Sequence, residues 1–268
     1  MIGTAIEREV HHFDSVVERE GDFNPFAPRG WETLRRRFRE MVPLAGPIRV
    51  LDVGCGTGRS RIVYVEPACP DAGPSVSHLR SGYVGIDLSS LALHLARGRF
   101  PESSWLRGDG CRMPLASGSF DVVAFSSVLH HMKDFTPALM EARRVLRPGG
   151  YAFAFDPNLI HPGMAAFRHP RSPLYSAAGV SPGERPVLPR ALARAFHGAG
   201  FTEVRQRCQA DIPYRTVGPK VLNFFLPVYN ICDRLLEAVG LGRWLGSFVL
   251  TVGRKASGEV APGKEKEP

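Results

Sequence analysis

Lysine is nearly missing from this 268-residue chain. Of its 34 basic residues only Lys133, Lys220, Lys255, Lys264 and Lys266 are lysines, and the rest are arginines. Against 26 acids this leaves a formal charge of +8 and a pI of about 9.6. Such a balance invites nucleic acid or anionic lipid as a partner, but the arginines are scattered and come with 28 glycines and 23 prolines. That pattern reads as a compositional habit, and no nucleic-acid partner is expected. Cysteine is scarce too: Cys55, Cys69, Cys111, Cys208 and Cys232 are odd in number and form no CxxC spacing. Neither a disulfide framework nor a zinc site is suggested, and no metal is expected. No uncharged apolar run approaches the ~18 residues of a spanning helix. The opening MIGTAIEREVHHFD has charges where a signal peptide needs an apolar stretch. The expectation is a reduced, cytoplasmic protein. A hydrophobic share of 44% and a charged share of 22% exclude a disordered or fibrous chain.

Residues 5–45 read as helical and amphipathic. Trp31, Leu34, Phe38 and Met41 recur at helical spacing, with Arg35, Arg36, Arg37 and Arg39 between them as a solvated face or, in the alternative, a contact for an acidic substrate or membrane surface. Gly46-Pro47 closes a lead-in of residues 1–46. From Ile48 the texture changes to short apolar runs alternating with helical segments. Strands are expected at Ile48–Val53, Tyr83–Ile86, Trp105–Leu106, Phe120–Phe125 and Tyr151–Phe155. Ser89 or Ser90 can cap a helix to about Arg99, and Thr136-Pro137 a second that Arg147-Pro148-Gly149-Gly150 stops. Strands apolar on both faces and alternating with helices predict a mostly parallel sheet covered on both sides, with sites at the strands' carboxyl ends. Residues 157–186 form a Pro- and Gly-rich excursion, followed by a helix over Pro189–Ala199 and a strand at Phe201–Gln206. Residues 207–246 are a second insertion, apolar and helical from Val217 onward. Ser247–Val252 is a last strand, and 256–268 a charged tail expected to be disordered.

The most informative stretch is Val50-Leu51-Asp52-Val53-Gly54-Cys55-Gly56-Thr57-Gly58, a strand entering a turn with glycine at every second position. A dinucleotide turn wants G-x-G-x-x-G; here the third glycine comes one residue early and Arg59 stands in its place. This disfavours a nicotinamide oxidoreductase, and Asp52 beside the turn favours a cationic ligand. Asp87 ends the second strand, where a carboxylate can accept two ribose hydroxyls, and Asp109 follows the third, where it can accept from an exocyclic amine.

Taken together, VLDVGCGTG, YVGIDLS, LRGDGCRMPLASGSFDVVAFSSVLHHM and EARRVLRPGGYAFAFDPN resemble the class I S-adenosylmethionine-dependent methyltransferases, in their small-molecule, type 11-like branch. The resemblance covers residues 48–156. It implies a Rossmann-like α/β fold: a seven-stranded, mostly parallel sheet with an antiparallel last strand, helices on both faces, N-terminal helices and a helical cap, over 47–255. It implies S-adenosylmethionine as cofactor, with Gly54, Gly56 and Gly58 along its methionine part, Asp52 near its ammonium and Cys55 lining the site. Asp87 with Leu88 would hold the ribose, Asp109 with Gly110 and Cys111 the adenine, and Ser126 would lie near the methionine end. The chain departs from the pattern after the glycine turn. Residues 59–74 hold three prolines and a β-branched run, so the first helix should be short or displaced.

Methyl transfer is an in-line displacement that needs alignment and exclusion of water, with a base only where the acceptor must lose a proton. His130 and His131 are the candidates, in either that role or a structural one, with Asp156 and Asn158 behind them. The expected acceptor is a small molecule or lipid-like compound methylated on O, N or C. The segment 217–246 is a helical cap or a peripheral membrane contact, though Asp233 and Glu237 make it a poor basic membrane helix. The rivals are an RNA or protein methyltransferase, against which stand the missing RNA-binding motif and the missing NPPY-type signature, and a non-catalytic cofactor-binding module.

Overall fold

A computed structural model describes residues 5–22, 24–65, 82–173, 175, 181, 184–215 and 223–258. The tail beyond 258, all of residues 66–81 with their three prolines, and Val217, Val221 and Leu222 lie outside the described residues. Two helices, α1 (Ala5–Glu20) and α2 (Pro28–Met41), precede the sheet. The sheet has seven strands: β1 (Arg49–Val53), β2 (Gly82–Asp87), β3 (Ser104–Arg107), β4 (Phe120–Ser126), β5 (Leu146–Pro157), β6 (Thr202–Gln209) and β7 (Phe248–Arg254). Their order is β3-β2-β1-β4-β5-β7-β6. The first five pair in parallel, and β7 runs antiparallel between β5 and β6. Chain order reverses between β1 and β4, so a crevice opens at their carboxyl ends.

The apolar runs are strands because both of their faces are buried. Val50, Val122, Ala124 and Phe153 pack on one side of the sheet with Leu34 and Phe38 of α2. Leu51, Val123, Phe125 and Ala152 pack on the other with Leu139 and Ala142 of α5 (Thr136–Val145). Between strands lie α3 (Arg61–Tyr64), α4 (Ser90–Arg99), α6 (Pro162–Arg168), α7 (Pro189–Gly198), α8 (Leu226–Ala238) and α9 (Gly242–Leu245). The helix after the glycine turn is thus four residues long. Ser89 caps α4, its Oγ accepting from Ala92 N–H at 2.9 Å.

Three local expectations are corrected. Thr136 is the first residue of α5 and not its cap; Asp134 accepts its N–H instead, at 2.9 Å. Arg147-Pro148-Gly149-Gly150 belongs to β5, which begins at Leu146 opposite Phe120 and crosses a register shift before Val122 meets Tyr151. The arginines of α2 are not one solvated face: Arg36 and Arg39 are exposed, but Arg35 and Arg37 are buried. The Arg37 guanidinium donates to Gln209 Oε1 at 2.5 Å and to Glu40 at 2.6 Å, which pins α2 to the end of β6. No described helix is long and apolar enough to cross a membrane.

Candidate functional site

At the end of β1 the chain enters three left-handed glycines, Gly54, Gly56 and Gly58, at φ of 71°, 50° and 79°. A Cβ on Gly54 would meet Val128 at 2.4 Å and one on Gly58 would meet Trp105 at 2.6 Å, whereas one on Gly56 would meet nothing. The outer glycines therefore let the turn pack, and the middle one faces open space. Its N–H donates to Asp87 Oδ2 at 2.8 Å, and Ser89 N–H donates to Oδ1 at 2.9 Å. The half-buried Asp87 thus joins the glycine turn to the end of β2, and burial raises its pKa above the ordinary value. Asp109 closes an Asx turn by accepting from Cys111 N–H at 2.8 Å, and its carbonyl accepts from Arg112.

Asp52 is different. It is fully buried, and three hydroxyls already take its carboxylate: Ser60 at 2.6 Å, Tyr83 at 2.7 Å and Ser126 at 2.6 Å. Ser126 is also 2.7 Å from the Tyr64 hydroxyl. Burial pushes the Asp52 carboxyl up to about 6, against the pull of those hydroxyls. Asp52 and Ser126 therefore brace β1, β2 and β4 from within. Cys55 is buried and its thiol raised by burial, and burial raises Cys111 to about 11. Both are the reverse of an activated nucleophile.

The raised Asp52 has a consequence for stability. A carboxyl of ordinary pKa 3.8 and folded pKa about 6 binds more protons folded than unfolded. Its favourable contribution is complete in acid and is lost as pH rises from about 4 to about 6. Across that window the wild type should lose up to about 3 kcal/mol relative to Asp52→Asn. Urea midpoints at each pH measure this, and parallel curves for the two proteins would contradict it.

Past β4, Ser127 adopts φ 56°, and a short 3-10 turn, Leu129–His131, carries both histidines. Asp156, fully buried at the end of β5, accepts at Oδ1 from His130 N–H at 3.0 Å and sits 2.9 Å from His130 Nδ1. Its Oδ2 is buried with no hydrogen-bond partner. His131 Nδ1 lies 2.8 Å from Glu9 and 2.9 Å from Ser181 Oγ. Burial, with His130 beside it, lowers the His131 pKa despite Glu9 and Glu184. The two rings are 3.9 Å apart. With Glu184, the two histidines form the one group of possible metal-ligand atoms among the described residues, all within 4.8 Å of one another. Both histidines already direct Nδ1 at internal partners. Asn158, by contrast, is consumed structurally, donating to Gly246 O at 2.8 Å.

The helix α1 lies over these loops, a function its sequence does not announce. Glu9 reaches His131 and Ser181, Asp14 accepts from Ser89 Oγ, and Asp22, just past the helix, accepts from Thr57 Oγ1 at 2.8 Å and pairs with Arg59 and Arg99. Burial opposes it, but Arg59, Thr57 and Arg99 hold the Asp22 carboxyl below its ordinary value. Between α1 and the ends of β2 and β3 is a cavity of about 430 Å³ lined by Ile6, Glu7, Val10, Leu88, Arg107 and Gly108. A smaller one of about 150 Å³ is lined by Arg168, Tyr175, Ser181, Glu184, Arg185 and Pro186.

Residues 51–154 match the family described as a methyltransferase domain. The demethylmenaquinone methyltransferase of Renibacterium salmoninarum is 33% identical over 159 residues, 58% of this chain and 60% of that protein. Phthiotriol/phenolphthiotriol dimycocerosates methyltransferase 1 of Mycobacterium ulcerans is 34% identical over 125 residues, 46% of this chain and 42% of that protein. The chain thus matches 60% or less of the length of these two relatives. In fold it is similar to the Haemonchus contortus phosphoethanolamine N-methyltransferase 2 in complex with S-adenosyl-L-methionine, at TM-score 0.61, 15% identity, and coverage of 92% of this chain and 56% of that one. The matched domain coincides with the parallel half of the sheet and its glycine turn. Residues 51–154 thus match a methyltransferase domain, and they lie in a sheet ordered β3-β2-β1-β4-β5-β7-β6.

Proposed function

We propose that the chain transfers a methyl group from S-adenosylmethionine to a small-molecule, lipid-like acceptor. The observation that carries the reading is the bridge from Gly56 N–H to Asp87 beside an open backbone cradle, next to a cavity under α1. The residues present fit that cofactor. Gly56 leaves backbone free for close approach, Gly54 and Gly58 let the turn around it pack, and each oxygen of Asp87 accepts one N–H and keeps capacity for a ribose hydroxyl. Leu88 with Ile6 and Val10 offers apolar walls to an adenine ring, and Asp109, Gly110 and Cys111 follow directly on Gly108 of that lining. Asp52 acts here as a buried brace whose charge is felt through Ser126 and not by direct contact. When bound, S-adenosylmethionine supplies a methyl activated by its sulfonium.

For a hydroxyl acceptor, His130 is the base. The Asp156 carboxylate takes the Nδ1–H, which leaves the Nε2 lone pair to receive the proton. His131, held by Glu9 and Ser181, shapes the wall beside it, and α1 excludes water. The lead-in 1–46, the excursion 157–186 and the insertion 207–246 form the acceptor side. That similar proteins are methyltransferases of demethylmenaquinone and of phthiotriol/phenolphthiotriol dimycocerosates supports a greasy acceptor. Methyl-labelled S-adenosylmethionine, incubated with protein and with organic-soluble, RNA and protein fractions of a cell extract, tests this. Label should enter the organic-soluble fraction. Label in RNA or protein would overturn the acceptor class, and label in no fraction would leave a non-catalytic module.

A further inference from the structure

The helix α8 is inside out. Val228, Ile231 and Leu235 follow one another at intervals of three and four, so they share one face, and that face points to solvent. Phe224 and Phe225 before the helix, Val239 after it and Trp244 in α9 extend the same exposure; each of the seven is more than half exposed. Monomeric surfaces rarely gather so many large apolar side chains on one element.

The acids of this segment are turned the other way. Asp233 is buried, accepting from Asp211 N–H at 2.8 Å and Ser247 Oγ at 3.1 Å. Glu237 pairs inward with Arg37 at 3.3 Å and lies 3.8 Å from Arg207. The two residues that argue in the sequence against a basic membrane helix therefore do not reach its outer face. Arg234 and Arg243 do, and the Arg243 guanidinium lies 3.7 Å from the centroid of the Trp244 ring. An apolar stripe, an exposed tryptophan and outward arginines without outward acids complement one occupant, an anionic lipid surface.

We propose that α8 and α9 dock the protein on anionic bilayers, with Phe224, Phe225, Val228, Ile231, Leu235 and Trp244 entering the headgroup boundary. The placement serves the site. Asp233 anchors α8 to Ser247, which precedes β7 where Phe248 pairs with Pro157, one residue beyond the Asp156 that holds His130. The docking face thus lies at the strand end from which a lipid-borne acceptor would approach. The inference rests on the exposed face and stands apart from the transferase reading.

Sedimentation with vesicles of phosphatidylcholine, with and without phosphatidylglycerol, tests it. The wild type should sediment with phosphatidylglycerol vesicles, and salt should weaken the binding. Val228→Asp, Ile231→Asp and Leu235→Asp combined should lower partitioning at least about tenfold while thermal unfolding and S-adenosylmethionine binding stay unchanged, since these side chains are more than half exposed. Arg234→Glu with Arg243→Glu should lower it on the order of tenfold on the anionic vesicles and little on the neutral ones. Three results would overturn the proposal: wild type left in the supernatant, a triple variant that partitions unchanged, or a wild-type dimer that the triple variant splits. None of them bears on cofactor binding, which the same variants report separately.

Discussion

His130→Ala and His130→Asn are both expected to lower turnover on a hydroxyl acceptor by about 10²–10⁴-fold, the range of a lost general base, with S-adenosylmethionine affinity changed less than about twofold. The reason is geometric. Asp156 Oδ1 holds both the backbone N–H and Nδ1 of His130, at 3.0 and 2.9 Å, so the ring has one orientation and one tautomer, with its basic lone pair on Nε2. A carboxylate that fixes a histidine this way orients it and stabilises the imidazolium that forms. The asparagine variant separates chemistry from structure. Its side-chain amide can donate to Asp156 as Nδ1–H does, so the buried carboxylate keeps its partner, but it carries no atom in place of Nε2. If His130 serves only to fill space and satisfy Asp156, asparagine restores turnover; if it is the base, asparagine folds like the wild type and stays inactive. Asp156→Asn acts through His130 and should change the pH profile of turnover as well as its height, an effect that loss of packing alone would not produce.

The parts of this arrangement that were legible in the sequence are local ones. An alternating glycine turn after an apolar strand, and acids at the ends of two further strands, need only a few residues each, and strand periodicity places them at one end of a parallel sheet. Strand β5 shows the limit. Arg147-Pro148-Gly149-Gly150 carries every mark of a turn, yet pairing of Leu146 with Phe120 across the register shift draws it into the sheet. Side-chain partners far apart in the chain were not legible at all. Glu9, Asp14 and Asp22 look like ordinary acids of an amphipathic lead-in, and only the fold brings them to Ser181, Ser89 and Thr57. The hydroxyls of Tyr64 and Tyr83 converge on Asp52 and Ser126 in the same way. Arg37, read as solvated, is buried because Gln209 at the end of β6 lies beneath it. Each of these depends on packing between elements, which neither spacing nor composition encodes.

Asp87→Ala is expected to weaken S-adenosylmethionine binding by about 1–3 kcal/mol, or roughly fivefold to 150-fold, the scale of charge-assisted hydrogen bonds to a half-buried carboxylate. Two effects act together. The carboxylate would no longer accept ribose hydroxyls, and Gly56 N–H would lose the acceptor that sets the middle of the glycine turn. Asp87→Asn separates them, because its amide oxygen can still accept from Gly56 while the charge is gone, so it should fall between wild type and alanine. Burial already raises the pKa of Asp87, which makes the site favour a ligand that supplies hydroxyl donors to the charged form. The most direct test is calorimetric titration of wild type and Asp87→Ala with S-adenosylmethionine and, separately, with NAD. The wild type should bind S-adenosylmethionine and not NAD, and Asp87→Ala should bind the former at least about fivefold more weakly. Binding of NAD in its place, or an affinity for S-adenosylmethionine that Asp87→Ala leaves unchanged, would contradict the account.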